Sequence, residues 1–143
     1  MAKADIVMPD DFIERIASLG AREDAIAETV LEAGAAIVAA KVRSNLEGVV
    51  GKNTVYPSRS TGELISALGT TKVRVNRNGD HDIKIGFSEP RSDVESNAKL
   101  ANILEYGKHG QPPKQFLAPA KSATKVACME TMKKRFAEEV DKL

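Results

Sequence analysis

Few side chains in this sequence have the type and spacing to do chemistry. Glu105 and His109 stand four residues apart, a spacing that on a continuous helix would place a carboxylate and an imidazole together as an acid–base pair. Gly107 lies between them and is a natural helix stop, so the two need not share a face. No further carboxylate lies near His109 to orient it, and no Ser or Cys sits in a recognisable nucleophile elbow. The stretch Gly48-Val49-Val50-Gly51-Lys52-Asn53-Thr54 looks faintly like a phosphate loop. A working loop needs four residues between its glycines and Ser or Thr directly after Lys; here two residues separate the glycines and Asn53 follows Lys52. His81, beside a turn, and His109, in a loop, read as solvated histidines. Cys128 reads as a small packing residue on or beside an apolar helical stripe, and Met129 and Met132 as core filling. Lys133-Lys134-Arg135 reads as a solvated helical face. Catalytic, cofactor-binding and metal-binding residues are therefore all expected to be absent.

The composition agrees. Apolar residues are 42% and charged residues 29% of 143, an ordinary globular balance sized for a single domain over residues 1–143. The 21 Lys and Arg against 20 Asp and Glu leave a net charge of +1, unlike the strongly basic dedicated nucleic-acid binders. No apolar run approaches the roughly 18 residues of a membrane span, and the N-terminus does not read as a signal peptide. One Cys excludes an internal disulfide framework and fits a reducing compartment; with two His it also argues against structural zinc. The charge is unevenly spread. Residues 1–33 hold three basic and eight acidic side chains, residues 34–107 ten and eight, and residues 108–143 eight and four. Either the two ends pack together within one subunit, or an acidic face meets a basic face on a neighbour.

The elements that must position these residues follow from periodicity. Asp10 or Asp11 caps a short helix bearing Phe12, Ile13, Ile16 and Leu19 and ending near Gly20. A long helix runs from about Glu23 to Leu46, with Ile26, Val30, Ala33 and Ile37 beside a second stripe of Leu31, Ala35, Val38, Val42 and Leu46. Residues 48–60 lack a period and read as a long flexible loop, with Val49–Tyr56 as a candidate extra strand. Thr61 caps a short helix, about Gly62 to Leu68, with Leu64, Ile65 and Leu68 on its apolar side. Alternation over Thr71–Val75 and Ile83–Phe87, around a turn containing Asn78-Gly79, predicts a hairpin with Arg74 and Lys84 on its outer face. A helix over about Ser96 to Tyr106 turns Leu100, Ile103 and Leu104 inward and stops at Gly107. Lys108–Gln115 is a Gly/Pro loop, stiffened by Pro112 and Pro113. The last helix starts near Pro119 and turns Val126, Met129, Met132 or Lys133, Phe136, Val140 and Leu143 to the core. The predicted fold is α+β: a small antiparallel sheet built around the hairpin at about 71–87, packed against a long helix of the N-terminal half and a long C-terminal helix.

Three blocks in order carry a resemblance: Ser60-Thr61-Gly62-Glu63-Leu64-Ile65-Ser66-Ala67-Leu68, Ala101-Asn102-Ile103-Leu104-Glu105-Tyr106-Gly107, and Pro112-Pro113-Lys114-Gln115-Phe116-Leu117-Ala118-Pro119-Ala120. Over about residues 20–143 the chain resembles the small head–tail joining, tail-completion or minor tail proteins of long-tailed double-stranded-DNA phages. It departs from their pattern at Leu100, Lys108 and Gln115. The resemblance implies a non-enzymatic structural protein of a virion or prophage, at the head–tail junction or upper tail. It implies a ring subunit, monomeric or not when free, whose partners are its own copies and other neck or tail proteins, with no cofactor, no nucleic acid and no membrane. Such a protein is made in the bacterial host cytoplasm and ends in the virion. Thr61, Gly62, Leu64, Glu105, Tyr106, Gly107, Pro113, Phe116, Leu117, Pro119 and Ala120 are the motif positions, read as structural. Glu105 is expected to accept hydrogen bonds from the amides of the loop that follows it, and Phe116 and Leu117 to anchor the start of the last helix. Lys133, Lys134 and Arg135 are candidate subunit contacts. The alternatives are a DNA-contacting accessory module of the packaging or neck region, acting through Arg74, Lys84 and the last helix, and a small hydrolase or toxin-like enzyme.

Overall fold

A computed structural model describes residues 10–50, 62–89 and 96–143. Among these described residues, five helices and four short strands follow in the order α1 (Asp10–Ala21), α2 (Glu23–Val49), α3 (Glu63–Ala67), β1 (Leu68–Thr70), β2 (Arg74–Val75), β3 (His81–Asp82), β4 (Ile85–Phe87), α4 (Asn97–Tyr106) and α5 (Leu117–Asp141). The fold is α+β, as the pattern predicts.

The frame is an antiparallel pair of long helices. Asn45 of α2 meets the start of α5, donating from Nδ2 to the Phe116 carbonyl at 3.2 Å, and Gly34 meets Cys128 and Met132 further along. The core gathers where the C-terminal half of α2 meets the first turns of α5. Val42, Leu46, Leu64, Leu68, Ala101, Phe116 and Ala120 are buried there, completely so for Ala120 and for the large Leu46 and Phe116. Burying side chains of this size stabilises by roughly 2–3 kcal/mol each. Phe116 also meets Phe87 edge-on, with ring centroids 6.2 Å apart.

Several expectations are corrected. Gly48 and Val49 are the last turn of α2 and no part of a loop or strand. Val49 and Val50 pack on the core, and that contact outweighs the roughly 1 kcal/mol helix penalty of a glycine. Residues 51–60, the rest of the predicted loop and strand, and Thr61 lie outside the described residues. The residue at the N-cap of α3 is Gly62, at φ 81°. In α4 the buried residues on the inner side are Asn97, Ala101 and Glu105, with Leu100 and Leu104 packed at its margin.

The hairpin is longer than predicted and broken in the middle. β1 pairs with β4 from Leu68↔Phe87 to Thr70↔Ile85, so Leu68 belongs to the strand and not to the preceding helix. Thr71 N–H still donates to the Lys84 carbonyl, and Lys84 N–H to Thr71 Oγ1. The second ladder, Arg74↔Asp82 and Val75↔His81, is one residue out of step with the first. The extra residue on the first arm makes a bulge. It breaks the alternation that would have placed Val75 on the inner face, and Val75 is exposed. Asn76 closes the tip, its Oδ1 accepting from the N–H groups of Asn78 and Asp80, with Gly79 at φ 86°.

α5 corrects the prediction most. It begins at Leu117, two residues before Pro119. It packs through small residues, Ala120, Thr124 and Cys128, against α2, where Gly34 and Ala35 are buried. Val126, Met129 and Phe136, expected in the core, are exposed by 67%, 49% and 47%. A close approach of two backbones selects the small stripe, which Met132 continues against Gly34 as expected of a core residue, and Val126, Met129 and Phe136 take the outer side.

Candidate functional site

The motif residues converge where α4 hands the chain to α5. Phe116 is the N-cap residue of α5, makes no side-chain cap, and is followed by a first turn without an acidic residue. The missing acceptor comes from α4. Glu105, 3% exposed, accepts from Phe116 N–H and Leu117 N–H through Oε2, both at 2.8 Å, and from Ala118 N–H through Oε1 at 3.0 Å. A carboxylate held against the positive end of a helix satisfies donors that the helix cannot satisfy itself. Burial pushes the Glu105 carboxyl up, but the N–H groups of Leu117, Phe116 and Ala118 outweigh it and hold it below the ordinary glutamate value. The expectation that Glu105 fixes the loop beyond it is thus met one step later, at the first turn of α5.

The intervening segment is pinned to the same place. Gly107 N–H donates to the Ile103 carbonyl, Lys114 N–H to the Leu104 carbonyl, and Lys108 and Gln111 exchange backbone bonds. Gly107 sits at φ 77°, ψ 178°, a conformation open essentially to glycine alone. A Cβ there would also stand 2.8 Å from Gln111 O and from Pro113 N.

Four polar residues in this network carry no sequence signal that the pattern reading used. Arg43 donates to the Ile65 carbonyl at 3.1 Å and the Leu68 carbonyl at 3.0 Å, satisfying the end of α3 and the outer edge of β1. Asn45 donates to the Phe116 carbonyl at the start of α5. Asn97 is buried and donates to the Ser88 carbonyl, and Glu89 accepts from Ala98 N–H at the start of α4. Ser96, placed at the helix start by the sequence, is the N-cap and accepts from Lys99 N–H.

Among the remaining motif positions, Leu64 and Ala120 are buried, Leu117 is half-buried, and Tyr106, Pro113 and Pro119 are exposed. Arg74 and Lys84 are exposed on the hairpin. Lys133, Lys134 and Arg135 are exposed on α5, away from the junction; Arg135 pairs with Glu138 at 3.5 Å, and neither lysine pairs with a described residue. His109 is exposed, and Glu105 has both oxygens committed to backbone amides, so the two form no acid–base pair. His81 does more than the sequence suggests: its Nε2 lies 2.8 Å from Asp24 Oδ1, tying the hairpin to the start of α2. Among the described residues no group of His, Cys, Asp and Glu is arranged to hold a metal ion, and no helix is long and apolar enough to cross a membrane.

What this arrangement does is mechanical. It fixes the angle and register of α5 on α2; α1 and α5 carry Ile13, Ile16, Val126, Met129 and Phe136 facing outward, and Tyr106 is exposed at the end of α4. Over residues 10–107 the chain matches the family described as "Bacteriophage HK97-gp10, putative tail-component". That span ends at Gly107, so Glu105 and Asn45 are matched residues that reach beyond it to hold the start of α5. No curated protein and no solved structure matches the chain.

Proposed function

The chain belongs to the HK97-gp10-like family of bacteriophage tail components, and from that premise we propose that it is a structural subunit at the head–tail junction or upper tail of a virion, repeated as a ring. It acts as one domain over residues 1–143, without a catalytic centre. It is made in the bacterial host cytoplasm, and its partners are its own copies and neighbouring neck or tail proteins. The observation that carries this reading is the outward apolar surface of α1 and α5. A chain that buries the small side of its longest late helix and presents the large side to solvent is built to be covered.

Charge supports the same reading. The exposed first turn of α1 carries Asp10 and Asp11, while α5 presents the exposed Lys133 and Lys134. Unlike charges on different faces favour a neighbour arranged head to tail, and such contacts close into rings. The test is genetic and structural together. Particles assembled without this protein are expected to show unjoined heads and tails, or tails that end irregularly, by electron microscopy. Complete infectious particles in its absence would contradict a junction or tail-completion role.

A further inference from the structure

Two apolar surfaces stand close together at the end of the molecule away from the core. The first is a groove of about 580 Å³ between α1, α2 and the late part of α5, lined by Ile16, Leu19, Val30, Leu31 and Phe136, with Glu23 at its margin. The second is the outer face of α5. At about 100° per residue, Val126 and Met129 lie roughly 150° around the helix from the Ala120–Thr124–Cys128 stripe that packs on α2. They are joined on that face by Lys133, with Lys125 and Glu130 at its two edges, all three exposed, so that lysines outnumber carboxylates there.

The charges say which surface meets which. Glu23 and His81 line the groove, and along α1 and the turn into α2 that form its wall Asp10, Asp11, Glu14, Glu23 and Asp24 outnumber Arg15 and Arg22, all seven exposed. Groove against groove would bring carboxylates together, and α5 against α5 would bring Lys125 and Lys133 of each copy together. Groove against the outer face of α5 brings lysines to carboxylates and apolar side chains to an unfilled apolar groove. An acidic margin also disfavours nucleic acid as the occupant.

We propose that the groove between α1 and α2 receives the outer face of α5 from a second copy of this chain, with Val126 and Met129 entering it and Lys125 and Lys133 meeting Glu14 and Glu23. This rests on the self-assembly reading above and adds the pair of surfaces that performs it. The two patches adjoin on α5, where Phe136 lines the groove and lies about 20° around the helix from Met129, but they use different residues, so each copy uses one and offers the other. The contact therefore propagates from copy to copy and closes wherever its rotation allows.

The test uses the full chain and two exposed substitutions, Val126→Asp on α5 and Ile16→Asp on the groove. Mass is followed by light scattering across a concentration series, and folding by thermal melting. Each variant is expected to need at least about tenfold more protein to assemble than the wild type, with its monomer melting unchanged. A mixture of the two variants is expected to stop at a dimer, because each such pair retains one intact junction. If both variants assemble as the wild type does, this pair of surfaces is wrong and ring assembly stands. If the wild type remains a monomer throughout, both fail. If Ile16→Asp lowers the melting temperature and leaves assembly unchanged, the groove serves its own chain and the proposal is overturned.

Discussion

Replacing Glu105 removes the acceptor for three backbone donors at once, and the cost can be worked from where each donor sits. Phe116 is wholly buried, so its N–H gains no water when the carboxylate goes, and leaving it unpaired costs about 2–3 kcal/mol. Leu117 is half-buried and Ala118 exposed, so water replaces much of what their N–H groups lose, at about 0.5–1 kcal/mol each. Glu105→Ala is therefore expected to cost about 3–5 kcal/mol, or about 10–15 °C of melting temperature for a chain of this size. Glu105→Gln keeps one oxygen for two donors but turns an amide N–H₂ toward the third, and about 1.5–3 kcal/mol is expected. Urea unfolding at a constant slope gives both numbers. The pH dependence isolates the charge. A folded-state value below the ordinary one means the carboxylate contributes its stability above the unfolded value and loses it as pH falls through the folded one. The gap between wild type and Glu105→Gln is thus expected to be constant near neutrality and to shrink below about pH 4. Both variants lying within about 0.5 kcal/mol of wild type at neutral pH would refute the role given to this carboxylate.

Gly107→Ala is expected to destabilise by about 2–4 kcal/mol, because the left-handed φ and the 2.8 Å approach to Gln111 O and Pro113 N penalise the same Cβ; denaturant titration checks it. Arg43→Met keeps the apolar stem and removes both carbonyl contacts. About 1–3 kcal/mol of lost stability is expected from it, and a neutral result would show that water serves those carbonyls equally well. Reversing the charges of Lys133, Lys134 and Arg135 to Glu is expected to weaken assembly without moving the melting temperature of the monomer by more than about 2 °C, since Arg135 alone makes an ion pair there and it is exposed. Assembly that is insensitive to this triple change, measured by light scattering, would end the charge-matching idea.

Much of the junction is legible in the sequence because its residues are of unusual type for their place. A glycine directly after an amphipathic segment marks a stop, and Gly107 is one. A glutamate on the inner side of that segment asks for backbone donors, and Glu105 finds three. What periodicity hides is which side of a helix wins when two stripes compete. In α5 the large residues at 126, 129 and 136 have the spacing of a core face, but the partner surface on α2 is made of Gly34 and Ala35. Shape matching against that surface favours Ala120, Thr124 and Cys128. The bulge is hidden for a related reason: the sequence of each arm alternates throughout, while one extra residue between Thr71 and Arg74 turns Val75 outward and shifts the pairing by one. Arg43, Asn45 and Asn97 are polar residues on helices with ample apolar neighbours. Their partners are carbonyls about 10–70 positions away in sequence, which no local pattern announces.

The most direct measurement is the mass of the purified full chain by light scattering across a concentration series. A defined assembly larger than a dimer, or a mass that climbs toward one as concentration rises, is the expected result for a subunit whose outward α1 and α5 surfaces await copies of itself. A strict monomer at every concentration would contradict self-assembly as a property of this chain.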